Sequence, residues 1–268
     1  MNNNFTLSVA IMSGKGGVGK TNIALNLACA LYSKEYRTLL MDCDLGLANL
    51  DVMLGIAPEG TLQDLLVGDA DASSIIYSLS DGFDILPAAS GVPELVEMDN
   101  DMRDLLLRRM LPALSHYDYV FLDLGAGINT TVQSFASMAA ARIVVVTPEP
   151  TALTDSYALI KVLATHHKVR DFLVVVNQVE NRQEESSTFK RLFAACQRFL
   201  GVEPVLLGSI RTDRCVPEAV RRQTPYLNAF PDNPASQDIH EIARKLIRIR
   251  DAMKDTLSRR NILQALPS

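Results

Sequence analysis

Eight consecutive residues, Gly14-Lys15-Gly16-Gly17-Val18-Gly19-Lys20-Thr21, carry the densest chemical signal in the chain. They match G-x-x-x-x-G-K-[ST], and the match sits between an apolar run and a segment of helical period, the context that the motif needs. The glycines let backbone N–H groups turn inward around phosphate oxygens, and a helix N-terminus behind them adds partial positive charge. In that arrangement Lys20 reaches the β- and γ-phosphates and the Thr21 hydroxyl binds Mg²⁺. Two acidic stretches lie downstream. Asp42 and Asp44 close one short apolar run, and Asp123 closes another before Leu124-Gly125-Ala126-Gly127. Carboxylates at the C-terminal ends of strands lie beside the phosphate loop of an open α/β sheet. Residues two apart on an extended chain share a face, so Asp42 and Asp44 are both expected to point at the nucleotide. Asp123 ends its strand in the manner of a carboxylate that holds Mg²⁺ through water.

The elements that must position these groups alternate along the chain. Strands are predicted at Leu7–Met12, Thr38–Met41, Phe83–Leu86, Tyr119–Leu122, Ile143–Val146, Phe172–Val176 and Val205–Ile210. Helices are predicted at Lys20–Tyr32, Arg103–Leu114, Thr130–Ala140, Asp155–Thr165, Thr188–Leu200 and Ile239–Leu257. The strands are continuous apolar runs rather than alternating ones, which is how strands covered on both faces read. Such a series predicts an α/β fold: a doubly wound, mostly parallel sheet flanked by helices and joined by right-handed crossovers. No repeat, low-complexity tract or linker divides the 268 residues, so one domain is expected, with 236–268 forming a C-terminal helix and tail.

Composition excludes several classes. The chain is 48% hydrophobic and 21% charged, an ordinary globular balance. Its net charge of −5, with 6% aromatics and no Trp, argues against a protein whose whole surface binds nucleic acid or stacks bases. Cys29, Cys43, Cys196 and Cys215 form no C-x-x-C pair and fit no zinc spacing. They read as scattered thiols, and the four histidines as structural or surface residues. No run approaches the ~20 apolar residues that span a bilayer. Met1 to Asn4 lacks the regions of a signal peptide, so a cytoplasmic protein is expected, with any membrane contact peripheral.

Lys15 is not part of the general motif. With it, Lys15-Gly-Gly-Val-Gly-Lys20-Thr21 resembles the deviant phosphate loop of the MinD/ParA family of ATPases. The resemblance implies ATP and Mg²⁺ as ligands and a homodimer that closes on ATP, Lys15 of each subunit reaching the other's phosphates. It also implies that Asp44 positions the attacking water, that Asp42 supports the magnesium shell, and that Asn177 contacts the adenine edge. A second base-contacting segment falls near Arg211–Asp213. Where this sequence has Gly125 the family commonly has Pro.

Three stretches further resemble the flagellar-number regulators, the FlhG/FleN branch. They are Asp44-Leu-Gly-Leu-Ala-Asn-Leu-Asp-Val-Met-Leu-Gly55, Pro87-Ala-Ala-Ser-Gly91, and Asp213 to Pro225. The partners implied are a flagellar assembly GTPase, flagellar switch proteins or a transcriptional activator. Many members stimulate the GTPase through an N-terminal extension. This sequence reaches its first strand by Leu7, which suggests a shortened paralogue with another partner. Competing readings are a partition ATPase binding DNA nonspecifically, with Arg221, Arg222, Arg244 and Arg248 as its basic surface, and a MinD-like cell-division regulator. An iron–sulfur carrier lacks the paired cysteines it needs. Ile239, Ile242, Leu246, Ile249 and Met253 share one helix face, expected to pack on the sheet, with Arg244, Lys245, Arg248 and Arg250 on other faces. The tail from Leu257 to Leu266, with Arg259, Arg260, Ile262 and Leu263, is then the better candidate for lipid contact.

Overall fold

A computed structural model describes residues 5–44, 49–67, 71–88 and 100–264. Part of the Asp44–Gly55 stretch (45–48), part of Pro87–Gly91 (89–91) and Leu266 lie outside the described residues. At the centre stands β1, Leu7–Ser13, buried at every position. It pairs in parallel with β5, Tyr119–Ala126, on one side and β6, Ala141–Val146, on the other. Beyond β5 come β2, Thr38–Cys43, then β4, Phe83–Leu86, and β3, Tyr77–Ser80; beyond β6 come β7, Leu173–Val179, and β8, Val205–Arg211. The order is β3-β4-β2-β5-β1-β6-β7-β8, and the β3–β4 pair is antiparallel. Helices flank this sheet, so the doubly wound, mostly parallel architecture expected from the apolar runs is the one observed. Strand β3 escaped the sequence reading because Tyr-Ser-Leu-Ser has no apolar run: its side chains alternate between half-buried and exposed.

The first helix, α1, spans Lys20–Tyr32 and contacts β2 and β5. Between β2 and β3 lie α2, Leu50–Leu54, α3, Asp64–Val67, and α4, Ala72–Ile75; α5, Asn100–Leu114, precedes β5. Helix α6, Thr130–Met138, and α7, Pro150–His166, contact β1. Helix α7 starts five residues before the predicted Asp155, because a proline in the first turn gives up only an N–H that would go unpaired anyway. Helix α8, Arg182–Leu200, also starts early: the Asn181 side chain caps it by accepting from Glu184 N at 3.0 Å. Helices α9, Cys215–Arg221, and α10, Tyr226–Ala229, lead to α11, Pro234–Ala252, and α12, Lys254–Leu257.

Helix α11 packs on β8 and α1 through Ile239, Ile242 and Leu246, as the periodicity required. Arg250, off the apolar face, is nonetheless buried. It is 6% exposed, its guanidinium lies 5.3–5.5 Å from the ring centroids of Phe5, Tyr36 and Tyr119, and it pairs with Asp118 at 2.6 Å. It is a buried structural cation. The tail is a correction. Leu257 and Leu263 are buried, Ser8 Oγ donates to Ile262 O at 2.6 Å, and Gln264 N donates to Met138 O at 3.2 Å. The described tail thus spends its apolar side chains on the body, leaving little for a lipid surface. Of the basic residues weighed for DNA, Arg221 and Arg222 both pair with Glu218, and Arg244 faces Glu241 at 3.7 Å.

Strand β6 begins at Ala141, and its Arg142, only 3% exposed, donates to the carbonyls of Ala136, Ser137 and Ala139 at the end of α6. Burial pulls this guanidinium down to about 10. On the outer edge of β8, Lys245 Nζ donates to Leu207 O at 2.7 Å and Arg211 N donates to the Asp238 carboxylate at 2.9 Å.

Candidate functional site: a phosphate loop at the end of the central strand

Strand β1 delivers the loop to the C-terminal edge of the sheet. Ser13 Oγ donates to Lys15 O at 2.7 Å and pins the first turn. Gly14 is pressed against α7: a Cβ there would stand 2.1 Å from the Asp155 carbonyl carbon. Gly17 and Gly19 hold φ of 77° and 92°, where a side chain is strained. Asn177, at the end of β7 and 8% exposed, donates from Nδ2 to Val18 O at 2.7 Å. This bond ties the loop to β7, which β6 separates from β1 in the sheet. Helix α1 then begins at Lys20, which is 8% exposed. Gly14, Lys15, Gly16, Gly17, Val18, Gly19, Lys20 and Thr21 are thus continuous in space, with a helix N-terminus behind them.

The carboxylates arrive on β2 and β5, whose register sets Asp42 opposite Asp123. Asp123 is 1% exposed. It hydrogen-bonds the Thr21 hydroxyl and feels the Lys20 ammonium, yet its Oδ1 is buried without a partner. Burial, reinforced by the Asp42 charge, pushes its carboxyl up to about 7. A buried oxygen with nothing to accept, beside a hydroxyl and below a phosphate-shaped loop, fits a hard divalent cation that keeps part of its water shell. Among the described residues no three His, Cys, Asp or Glu side chains cluster as a metal cage. A Mg²⁺ ion here would therefore lean on Thr21, Asp123 and substrate oxygens, which is its usual preference.

Asp42 sits differently from the simple alternation argument. Its Oδ1 accepts from Asp44 N at 3.0 Å, and its Oδ2 accepts from Asn49 N and Leu50 N at 3.2 Å. It anchors the segment after β2 through backbone amides, while burial raises its carboxyl to about 6. Strand β2 ends at Cys43, so alternation lapses before Asp44, whose carboxylate lies over Gly125 of β5.

Lys15 is half exposed and reaches back within its own chain. Its Nζ forms an ion pair with Glu149 and donates to Thr151 Oγ1 at 3.0 Å. On the far side of Gly19, a cavity of about 640 Å³ is lined by Asn22, Asn177, Arg211, Asp213 and Tyr226 among others. The base-contacting positions expected at Asn177 and Arg211–Asp213 come together here. Sequence reasoning missed Tyr226, whose hydroxyl is buried without a partner; nothing around it in sequence marks it except the turn at Pro225.

A glycine loop closing a central parallel strand, a lysine and a hydroxyl opening the next helix, and an adjacent strand-end aspartate define a P-loop nucleotide-binding protein. The chain belongs to the CobQ/CobB/MinD/ParA nucleotide binding domain family, whose profile matches residues 9–226. It is 38% identical over 238 residues to the antiactivator FleN of Pseudomonas aeruginosa, covering 89% of this chain and 85% of that protein. It is 36% identical over 245 residues to the flagellum site-determining protein YlxH of Helicobacter pylori, covering 90% and 82%. Among solved structures, the septum site-determining protein MinD of Pyrococcus horikoshii, complexed with Mg-ADP, superposes with a TM-score of 0.71 at 26% identity, covering 93% of this chain and 98% of that one. No described helix is long and apolar enough to cross a membrane.

Proposed function

We propose that this chain is a Mg²⁺-dependent ATPase switch that sets flagellar number or placement, its ATP-bound form being a homodimer and residues 1–268 acting as one domain. The unpartnered, buried Oδ1 of Asp123 beside Thr21 and Lys20 carries the nucleotide part of this reading. The likeness to FleN and YlxH supports the flagellar part. The loop amides and Lys20 hold the triphosphate, the Asn177 cavity takes the base, and Thr21 and Asp123 hold Mg²⁺, with Asp42 fixing the segment that carries Asp44. Bound there, Mg²⁺ supplies charge neutralisation to the β- and γ-phosphates.

Lys15 leaves Glu149 to reach the phosphates of a second copy, which links nucleotide to dimer closure. Asp44 orients the water that attacks the γ-phosphate, and loss of that group lets the dimer open. Catalysis of this kind is positioning and charge stabilisation, so turnover is slow until a partner completes the geometry. The packing of Leu257 and Leu263 on the body favours a protein partner over lipid as the output: a flagellar assembly GTPase, a switch protein or a transcriptional activator.

Light scattering and phosphate release on wild type, Asp44→Ala and Lys15→Ala test this reading. Asp44→Ala is expected to dimerise with ATP and Mg²⁺ while turning over about 100-fold slower or less, and Lys15→Ala to stay monomeric. Unchanged turnover in the first, or an ATP-dependent dimer in the second, removes that residue from the mechanism. Deleting the gene is expected to change flagellar number per cell; a normal count sinks the flagellar reading.

A further inference from the structure

Helices α7 and α8 pack against each other and leave a groove of about 410 Å³ between them. Leu153 and Tyr157 line it from α7, four residues apart and so on one face; Leu192, Ala195 and Phe199 line it from α8 at spacings of three and four. Phe199 is 65% exposed, and its ring meets Tyr157 edge-on with centroids 6.5 Å apart. Single exposed apolar residues need no explanation, but this one closes a continuous apolar trough.

The rim of the trough is positive. Arg191 lines it, the Arg198 guanidinium lies 5.2 Å over the Phe199 ring, and Lys161 follows Tyr157 by one helical turn. Among the described residues none of these three makes an ion pair, whereas Arg211, Arg221, Arg222, Arg244 and Arg250 all do. The acids on the same two helices do not line the trough. Glu184 accepts from Glu180 N and Glu185 accepts from Ser209 Oγ, and Asp155, whose backbone packs under Gly14, does not line the groove. The helix-lined trough therefore keeps its apolar floor and its uncompensated positive edges together.

We propose that this groove is the docking site for an acidic amphipathic helix of another protein. Its apolar side chains at i, i+3/i+4 and i+7 would enter between Tyr157, Leu192 and Phe199, and its Asp or Glu flanks would meet Arg191, Arg198 and Lys161. The site lies on the flank of α7, the helix whose first turns carry Thr151 against Lys15 and Asp155 against Gly14, so its occupant sits within a turn or two of the phosphate loop. This proposal does not depend on the hydrolytic reading.

The test is fluorescence anisotropy on the full chain with Mg-ADP, using a labelled synthetic peptide of about 18 residues with Leu at the anchor positions and Glu at the flanks. Two controls replace every Glu by Lys, or every Leu by Ser. The acidic amphipathic peptide is expected to bind at least about tenfold tighter than either control. Phe199→Ser, at an exposed position that leaves the fold intact by circular dichroism, is expected to weaken binding about tenfold or more. Arg191→Glu is expected to reverse the preference toward the Lys peptide, and amide exchange to slow at 153–157 and 191–199. Equal binding of the Glu and Lys peptides, or affinities unmoved by both substitutions, overturns the proposal. So does Phe199-dependent binding to phosphatidylglycerol vesicles or Phe199-dependent self-association in place of peptide binding, which would assign the trough to lipid or to a second copy.

Discussion

Gly125 leaves open the space that the Asp44 carboxylate fills: a Cβ on Gly125 would stand 3.2 Å from Asp44 Oδ1 and 3.4 Å from its Cγ. The two residues come from different strands' ends, so the position of one acid after β2 is set by the missing side chain on β5. Gly125→Ala forces the carboxylate to move by a few tenths of an ångström. Since small displacements of a positioned group are costly in catalysis, ATP turnover is expected to drop about tenfold. Nucleotide affinity should be unchanged, because nothing in the phosphate loop is touched. Steady-state phosphate release beside a binding titration separates the two quantities, and a variant at full turnover would detach Gly125 from the placement of Asp44.

Asn177 donates to the Val18 carbonyl, so Asn177→Asp replaces a donor with a buried charged acceptor facing another acceptor. The unpaired groups should cost about 1–3 kcal/mol. Calorimetric titration with Mg-ATP is expected to show affinity at least about tenfold weaker, with a lower melting temperature. An unaltered affinity would mean that the loop keeps its shape without this bond.

The Asp123 carboxyl rises from 3.8 to about 7 and Asp42 to about 6, burial being the main cause for each. A folded-state value above the unfolded one contributes stability below the unfolded value and loses it as pH rises through the folded value. The nucleotide-free protein should therefore weaken between about pH 4 and pH 7 from these two groups. Asp123→Asn removes its share, so the variant should gain about 2–3 kcal/mol on wild type between pH 5 and pH 8. Denaturant melts at the two pH values measure the difference; parallel wild-type and variant profiles would contradict it. Mg-ATP should flatten the wild-type slope by pairing the carboxylate.

Arg250 joins the last long helix to the start of the chain through Asp118 and the rings of Phe5, Tyr36 and Tyr119. Arg250→Ala leaves Asp118 unpaired and the rings without their cation. Breaking such a pair costs about 3 kcal/mol, which at this chain length lowers the melting temperature by about 6 °C or more. Thermal unfolding followed by circular dichroism reads it, and a shift under about 1 °C would show that the cage is incidental.

Much of this site is legible in the sequence alone. Continuous apolar runs placed β1, β2, β5 and β6, which are buried on both faces along nearly their whole length. The loop from Gly14 to Thr21 announced its chemistry by residue type alone. What escaped depended on partners distant in sequence. Nothing local says that Asp42 will accept amides from Asn49 and Leu50, or that Lys15 will find Glu149. Nor does anything local say that Arg250, placed off the apolar face of its helix, will be buried, because its rings and carboxylate lie more than 130 residues away. The tail looked free because Ser8 and Met138, its anchors, belong to the opposite end and the middle of the chain. Strand β3 was hidden by its polar alternation, and α7 and α8 began early through a tolerated proline and an asparagine cap.

The outermost strand on the β8 side has its free carbonyl at Leu207 taken by Lys245 and its free amide at Arg211 taken by Asp238. Another chain laid alongside would find those bonding positions already filled, which discourages growth of the sheet from molecule to molecule. On this edge, association between copies would run through side-chain surfaces rather than by continuing the backbone ladder. Contacts of that kind are more readily reversed than a continued sheet.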